Sequence, residues 1–374
     1  MIGMTWLILA LVAMGVVVGL VGTAAARAVG RRTGALDSRG APGHAKTLRA
    51  VPNNGGIAIY LALAVPMAVG LIAVWVLDAH WWSRYVPAVA EHLQRIRHTT
   101  PTAVAMLVAM TVLHVMGAID DRRSLGAVPK LAVQVAVAAS MAIWFDVRLL
   151  ELQALPVWVS VAVTIVWIVV ITNAINFMDN MDGLAAGVSA IAAGLFMIAC
   201  LVNHQWFIAA TLALLIGALL GFLVFNFPPA SIFMGDRGSL VVGFVLAVLT
   251  VRTTYLHPDL GGGWYGVFMP LVVLAIPLYD VVTVTAIRLR QGRSPFVGDQ
   301  QHFSHRLVSR GLSTRGAVVV IWSATAVTGI GGVALGSLQA WQAVLVGVQT
   351  LLVLAMIALL EHASRRAVAL DRPS

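Results

Sequence analysis

Residues 206–225 have the sequence WFIAATLALLIGALLGFLVF, which contains no charged side chain. A helix of about 20 apolar residues is long enough to cross the hydrocarbon core of a bilayer. Similar runs recur along the chain, which has 374 residues, 60% of them hydrophobic and only 10% charged. Soluble domains have about 25% charged residues, so this composition predicts a protein embedded in lipid.

Eleven segments qualify as membrane spans, with ten as the alternative because one of them is short. They are residues 4–26, 54–77, 101–119, 129–145, 156–176, 184–202, 206–225, 239–256, 264–287, 316–337 and 340–361. The predicted fold is therefore all-α, a polytopic bundle of about eleven transmembrane helices. We expect one domain over residues 1–363 and a short, basic, disordered tail over residues 364–374.

The Lys and Arg residues are divided unequally between the two sets of loops. Nineteen of the 24 lie in one set, and only five lie in the other. The first set comprises residues 27–53, 120–130, 177–183, 226–238, 288–315 and the segment after 361. Because cytoplasmic loops are rich in Lys and Arg, we assign this set to the cytoplasm. The N-terminus is then outside and the C-terminus inside, as an odd number of spans requires.

The net charge of +9 does not indicate nucleic-acid binding, because the basic residues lie in short loops and form no stripe with aromatic residues. The only cysteine, Cys200, lies in an apolar run, so no disulfide can form within the chain. The first run has no basic segment before it, and we expect a retained helix rather than a signal peptide.

Seven of the fifteen acidic residues lie in or beside the loops assigned to the cytoplasm. They are Asp120, Asp121, Asp179, Asp182, Asp236, Asp280 and Asp299. Carboxylates near hydrocarbon are costly and are usually functional. Their convergence on one face predicts a functional site there.

Asp120 and Asp121 end one apolar segment, and Lys130 and Gln134 lie four residues apart in the next. Two adjacent carboxylates suit Mg²⁺ or a base with a raised pKa. Residues four apart on a helix share a face, and a lysine on that face suits a phosphate. The alternative is that the two aspartates only pair with neighbouring Arg or Lys side chains.

A second polar cluster contains Asn173, Asn176, Asp179, Asn180 and Asp182. In helical register the three asparagines line one face, with Asp179 beside them. Amides and carboxylates together suit a nucleotide, a sugar or the outer shell of a metal. The spacing excludes an EF-hand loop, which leaves a polar turn without a ligand as the alternative.

A third cluster is the loop NFPPASIFMGDRGS at residues 226–239. Its two prolines end the preceding helix, and its glycines allow the backbone to approach a ligand. Asp236 suits a phosphate-bound Mg²⁺, and free N–H groups of the helix that starts near Ser239 suit an anion. The alternative is a capped loop whose glycines serve only the turn.

A fourth cluster lies in the loop 288–315, where Arg293, His302, His305 and Arg306 suit a diphosphate. A zinc site would need further ligands than these two histidines. The alternative is a solvated basic loop facing anionic lipid.

Two further residues extend the clusters. Asp280 lies about two turns inside the helix before the loop 288–315, and it suits either the site or a buried partner for a nearby Arg. Lys46 precedes the Pro–Gly turn that leads into the second span, and we assign it to a phosphate.

Together these motifs resemble those of the polyprenyl-phosphate N-acetylhexosamine-1-phosphate transferases. Phospho-MurNAc-pentapeptide transferase is a more distant relative of that family. The resemblance covers about Pro52 to Leu307. It rests on the segment 52–56, Asp120 and Asp121 with Lys130 and Gln134, and the segments 173–183, 226–239 and 295–307.

The resemblance implies a Mg²⁺-dependent enzyme, with Mn²⁺ as an alternative ion. It would transfer a sugar 1-phosphate from a UDP-sugar to undecaprenyl phosphate and release UMP. UDP-GlcNAc is the expected donor, and another UDP-N-acetylhexosamine or UDP-MurNAc-pentapeptide is the alternative. The implied location is the bacterial inner membrane, with the site on the cytoplasmic side and a homodimer as one option.

The resemblance also implies residue roles. Asp120, Asp121 and Asp236 are the implied catalytic and metal-binding residues, and the first two are open between metal ligation and activation of the lipid phosphate. The residues assigned to substrate binding are Lys46, Lys130, Asn173, Asn176, Asp179, Asp182, Asn226, Arg293, His302, His305 and Arg306.

Two positions depart from the usual pattern of that family. Asn180 replaces the common Gly between Asp179 and Asp182, which adds bulk near the predicted sugar or uridine pocket. Ser304 replaces a usual His beside His305, so a hydroxyl stands in place of an imidazole.

A transporter of an anionic metabolite is the competing class of protein. Such a protein would use intramembrane acids as proton relays and would usually show related halves. Here the acids cluster on one side and no internal repeat is visible, so the sequence favours an enzyme.

Overall fold

The computed structural model of the chain describes residues 2–34, 51–149, 156–253, 264–294 and 301–370. These residues form α-helices joined by loops and short 3-10 turns, with no β-strand among them, so the all-α prediction is confirmed. The helices are α1 (Ile2–Thr33), α2 (Gly55–Val76), α3 (Ala79–Tyr85), α4 (Pro87–Ala90), α5 (Leu93–Asp120), α6 (Ala127–Trp144), α7 (Val157–Met178), α8 (Leu184–Val202), α9 (Trp206–Asn226), α10 (Asp236–Arg252), α11 (Met269–Val273), α12 (Ala275–Arg290), α13 (Phe303–Val308), α14 (Thr314–Ala334) and α15 (Ala340–Leu370).

Nine helices within the described ranges are long and apolar enough to cross a membrane, and a bent pair raises the number to ten. The bent pair is Trp264–Val273 with Ala275–Arg290, which meet at 65°. The remaining predicted span, 239–256, corresponds to α10, which has only 17 residues. At about 1.5 Å per residue, α10 is shorter than the usual hydrocarbon thickness of about 30 Å. The chain is a multi-pass membrane protein, but the expected count of eleven spans is not confirmed.

α10 is the central helix of the bundle. Every residue from Arg237 to Val251 is buried, and the helix packs mainly against α5 and α7. A side chain on Gly243 would lie 2.8 Å from the Cα of Thr172 in α7, which shows how closely the two backbones approach. Small residues allow such approach between helices in lipid. Asp236, the first residue of α10, is therefore carried by a helix enclosed on all sides.

α1 and α9 cross at two pairs of glycines. Gly15 and Gly19 of α1 face Gly217 and Gly221 of α9, and a Cβ on Gly217 would lie 2.4 Å from the carbonyl oxygen of Val12. Spacing of four residues places both glycines of each helix on one face, as in close-packed membrane helix pairs. This contact holds the first helix against the interior of the bundle.

α15 lies at the rim of the bundle and faces outward along most of its length. Its large exposed side chains are Trp341, Val344, Leu345, Val348, Leu351, Leu352, Met356, Leu359 and Leu360. In a membrane this face is covered by lipid. The helix continues to Leu370, so the prediction of a disordered tail from residue 364 is wrong up to that residue.

The loop before α10 is fixed to the segment before α2. The amide of Phe233 donates to the carbonyl of Pro52 at 2.8 Å, and the amide of Gly55 donates to the carbonyl of Phe233 at 2.9 Å. The amide of Gly56 donates to the carbonyl of Met234 at 3.0 Å. These hydrogen bonds place the Pro–Gly turn of the sequence directly beside the start of α10.

Candidate active site

Lys130 of α6 lies between two carboxylates that belong to different helices. Its Nζ is 2.9 Å from Oδ2 of Asp120, at the end of α5, and 2.8 Å from Oδ2 of Asp236, at the start of α10. The side chains of Asp120, Lys130 and Asp236 are 13%, 24% and 27% exposed. The structure thus brings together three residues from different helices, with Lys130 and Asp236 separated by 106 positions in the sequence, and leaves them accessible.

Two asparagines of α7 support this centre from one side. The Asn176 amide nitrogen donates to Oδ1 of Asp236 at 3.0 Å and to the hydroxyl of Ser239 at 2.8 Å. Asn173 lies one turn deeper, where it donates to the side-chain oxygen of the buried Gln134. Asn176 therefore contacts the predicted metal-binding carboxylate of Asp236, whereas Asn173 links α7 to α6 deeper in the bundle.

Asp121 points away from its neighbour Asp120. Its Oδ1 accepts from the backbone amide of Asp236 at 2.9 Å, and its Oδ2 accepts from Nε of Arg237 at 2.7 Å. Burial raises the pKa of Asp121, and the Arg237 guanidinium opposes that shift. Both oxygens of Asp121 thus accept hydrogen bonds from the start of α10, whereas Asp120 contacts Lys130, and the choice between metal ligation and activation of the lipid phosphate stays a prediction for both aspartates.

The N-terminus of α10 was predicted to hold a substrate anion. Instead, the first amide groups of α10 face the carboxylate of Asp121, and the amides of Gly238 and Ser239 donate to the carbonyl of Gly235. A helix N-terminus attracts negative charge, and a buried carboxylate meets that demand directly. Gly235 makes the turn possible because its φ of 70° lies in the region that favours glycine.

The turn after α7 is tied to the loop after α9. Asp182 Oδ2 accepts from the amide of Ala230 at 2.9 Å. Asn226 is buried; its oxygen accepts from the amide of Gly183 and its nitrogen donates to the carbonyl of Ile232, both at 2.9 Å. Asn226 thus connects the turn after α7 to the loop after α9 through two hydrogen bonds. Asp179 and Asp182 remain half-buried in the turn.

A second polar pair lies between α12 and α13. Asp280 Oδ2 is 2.7 Å from Nδ1 of His302, and Asp280 Oδ1 accepts from the amide of Phe303 at 3.0 Å. The side chains of His302 and Asp280 are 6% and 0% exposed. Asp280 therefore orients the first residue of the histidine segment.

Arg306 pairs with an acid that the sequence analysis did not identify. Its guanidinium lies 3.0 Å from Oε2 of Glu361 in α15, and it also donates to the carbonyl of Gln301. Glu361 is buried at the end of an otherwise apolar span, and such a carboxylate in a membrane helix marks a built interaction. The position of Glu361 at the end of an apolar span was the sequence signal that could have identified it. The ion pair ties Arg306 to the bundle.

Three further residues are expected to bind substrate. His305 is half-buried in α13, and Arg293 is exposed beyond the end of α12. Lys46 lies outside the described residues. Their substrate roles stay predictions.

Within the described ranges, no three His, Cys, Asp or Glu side chains converge closely enough to hold a metal ion alone. Asp120 and Asp236, which share one ammonium group, nevertheless offer two oxygen ligands at a single accessible position. Mg²⁺ is usually bound by one or two carboxylates together with waters and substrate phosphates. The donor set fits an ion of that kind.

The site and fold define a helical membrane protein with a carboxylate–lysine centre at the ends of its helices. The pattern of glycosyl transferase family 4 matches residues 103–254, which include that centre and end before Asp280. A Bacillus subtilis (strain 168) protein, named as a probable undecaprenyl-phosphate N-acetylglucosaminyl 1-phosphate transferase, is 32% identical over 263 residues. The match covers 69% of this chain and 72% of that protein.

Two further relatives have related names. A Mycobacterium leprae (strain TN) decaprenyl-phosphate N-acetylglucosaminephosphotransferase is 33% identical over 294 residues, 72% of this chain and 70% of that protein. The Escherichia coli (strain K12) undecaprenyl-phosphate alpha-N-acetylglucosaminyl 1-phosphate transferase is 30% identical over 241 residues, 60% of this chain and 64% of that protein. The chain therefore belongs to glycosyl transferase family 4.

Proposed function

We propose that the protein transfers N-acetylglucosamine 1-phosphate from UDP-GlcNAc to undecaprenyl phosphate or a similar polyprenyl phosphate. The products would be UMP and a lipid diphosphate that carries the sugar, the first membrane step of a cell-envelope glycan. The names of the relatives support the sugar and the class of acceptor. The observation that carries the proposal is Lys130 held between Asp120 and Asp236 at the end of the bundle.

In the proposed reaction, an oxygen of the acceptor phosphate attacks the β-phosphorus of the UDP-sugar. The bond from that phosphorus to the bridging oxygen of the α-phosphate breaks, and its electron pair leaves with UMP. The acceptor phosphate is already an anion at neutral pH, so direct attack needs little deprotonation. The protein must therefore hold two mutually repelling anions in line, which requires positioning and positive charge.

Lys130 supplies one positive charge at the proposed reaction centre. In the structure this ammonium group is shared by two carboxylates, so the local charge of the three groups together is negative. Asp120 and Asp236 would hold Mg²⁺, or Mn²⁺, together with the diphosphate, and the ion would neutralise charge on the transferring group. Asn176 would keep Asp236 in place through its hydrogen bond of 3.0 Å.

The nucleotide and sugar would bind between the turn of Asp179 and Asp182 and the helix that carries His305. These segments lie after the C-terminal end of α7 and in α13, and the side chains of Asp179, Asp182 and His305 are half-buried. The arrangement suits a ligand with several hydroxyl and phosphate groups. Another UDP-N-acetylhexosamine or UDP-MurNAc-pentapeptide would change the contacts of the sugar but not the phosphoryl transfer.

The reaction is proposed to take place on the cytoplasmic side of the bacterial inner membrane, where a soluble nucleotide meets a lipid phosphate. The positive charge of the loops on that side supports the orientation. Cysteine labelling tests it, because the natural Cys200 is buried. In inside-out vesicles, Ser309→Cys should react with an impermeant maleimide and Ser83→Cys should not; the reverse would overturn the orientation. The homodimer stays a prediction.

The function is tested by incubating the purified protein with undecaprenyl phosphate, UDP-GlcNAc and Mg²⁺, and measuring UMP. We expect UMP release that stops on addition of excess EDTA and returns with Mg²⁺. Undiminished release in EDTA would contradict the metal assignment. Absence of UMP with every UDP-N-acetylhexosamine would contradict the enzyme, and uptake of an anionic metabolite into vesicles would then favour the transporter.

A further inference from the structure

Asn180 and Ser304, the two positions that depart from the usual family pattern, form a hydrogen bond with each other. The Ser304 hydroxyl donates to Oδ1 of Asn180 at 2.6 Å, across 124 positions of sequence. Ser304 is fully buried, and Asn180 is half-buried. The contact joins α13 to the turn that carries Asp179 and Asp182.

The Asn180 amide is held in one orientation by a second hydrogen bond. Its nitrogen donates to the backbone carbonyl of Phe177, so its oxygen faces Ser304. The Phe177 ring also meets the edge of the His302 ring at 5.5 Å and carries the Arg288 guanidinium 5.4 Å from its centre. Asn180 is thus part of a packed cluster that connects α7 with α12 and α13.

α13 has only six residues, too few to be stable as an isolated helix. Three alternate residues attach it to three different elements: His302 to α12, Ser304 to the turn after α7, and Arg306 to α15. Of these three contacts, only the one from Ser304 reaches the segment with Asp179 and Asp182. This hydrogen bond therefore links the helix that carries His305 directly to that turn.

We propose that Asn180 and Ser304 are a positioning pair that sets the distance between the two halves of the nucleotide-sugar site. The inference rests on the proposed function, because it assigns the sugar nucleotide to the space between α13 and the turn after α7. The pair acts through its neighbours, so it should govern binding of the donor and not of the lipid acceptor. If this link were shorter or more flexible, α13 and the turn after α7 could not both contact the donor.

A double-mutant cycle tests the pair in the full-length protein. Ser304→Ala and Asn180→Ala should each raise the KM for UDP-GlcNAc by about five- to tenfold, the loss expected for one hydrogen bond. The KM for undecaprenyl phosphate should stay unchanged. The KM of the double variant for UDP-GlcNAc should not exceed the higher of the two single-variant values, because both changes remove the same interaction. Ser309→Ala, at an exposed serine whose hydroxyl donates to the backbone carbonyl of Arg306, is the matched control.

Three results would overturn the positioning role: effects that multiply in the double variant, KM values that rise equally for both substrates, or no change in either single variant. If Ser304→Ala fails to fold, Asn180→Ala tests the same bond at a half-buried position. Stabilisation by UDP in a melting experiment provides a readout without turnover. An unchanged protein that binds UDP but releases no UMP would refute the proposed function and still allow the test of the pair. Absence of UDP binding would overturn both.

Discussion

The two charged clusters of the candidate site differ in how much of their side chains is exposed. Lys130 and its carboxylates Asp120 and Asp236 retain side-chain exposures between 13% and 27%. Asp280 and His302 are sealed, with exposures of 0% and 6%. A partly exposed ion pair can exchange its partners for a ligand, whereas a sealed pair can only hold its own geometry. The first set is therefore suited to chemistry, and the second to positioning.

The same difference appears in the identity of the partners. The accessible centre joins two carboxylates to one ammonium group and lies within the residues matched by the family. The sealed pair lies beyond that match and has one carboxylate oxygen for the imidazole and one for a backbone amide. A buried polar group left without a partner destabilises the fold. Substitutions in the sealed pair should therefore lower stability as well as activity, whereas substitutions in the accessible centre should mainly lower activity.

Among substitutions in the accessible centre, Asp236→Asn should reduce activity the most. It removes the negative charge that faces Lys130 and the proposed metal, while keeping the size of the side chain. We expect UMP release to fall on the order of 10²–10³-fold, because an electrostatic group at the reacting centre is lost. The control is Asp146→Asn, at an exposed aspartate that pairs with Arg148. Near-normal turnover in Asp236→Asn would remove Asp236 from the mechanism.

Lys130→Gln should have the next largest effect. It leaves Asp120 and Asp236 without their shared cation, so the site would repel both phosphates more strongly. We expect kcat/KM to fall about 100-fold. Arg123→Gln, an exposed cation close to the same helix end, should retain activity. If both variants lost activity equally, the effect would belong to the general charge of the surface and not to the shared ion pair.

Asp280→Ala should affect the sealed side through stability as well as activity. His302 would remain buried without its partner, which costs about 1–3 kcal/mol. We expect a lower melting temperature together with about tenfold weaker donor binding, and an unchanged KM for the acceptor lipid. A stable protein with normal donor binding would show that Asp280 does not position the histidine segment.

Glu361→Gln should give the smallest effect of the four. The variant keeps a polar group beside Arg306 but removes the ion pair of 3.0 Å. α13 would still be attached through His302 and Ser304, so we expect a rise of about two- to fivefold in the donor KM. Glu91→Gln, at an exposed carboxylate, is the control. A loss as large as that of Asp236→Asn would place Glu361 in the chemistry instead.

The sequence predicts the accessible centre better than the sealed pair of Asp280 and His302, for a physical reason. Charged residues beside apolar runs are conspicuous, because hydrocarbon excludes them unless they have a role. Asp120, Lys130 and Asp236 stood out in this way, and the helix order explains how they meet. The family resemblance was also confirmed by the relatives.

The internal partners could not be predicted, because they depend on how helices distant in sequence pack. Asp121 follows Asp120 directly, yet its carboxylate turns to the start of α10. Glu361 meets Arg306 only because α15 packs beside α13. The expected eleven spans stay unconfirmed for the same reason: within the described residues α10 is short and enclosed by protein, and the helix pair over 264–290 is bent at 65°.

The most direct measurement follows the β-phosphorus of the donor. Purified protein is incubated with undecaprenyl phosphate and UDP-GlcNAc labelled with ³²P at the β-phosphate, and lipid and aqueous products are separated. Transfer of the sugar 1-phosphate requires the label to enter the lipid fraction while unlabelled UMP accumulates, and Asp236→Asn should suppress both. Label that stays with the nucleotide as UDP, with an unlabelled glycolipid, would contradict the account.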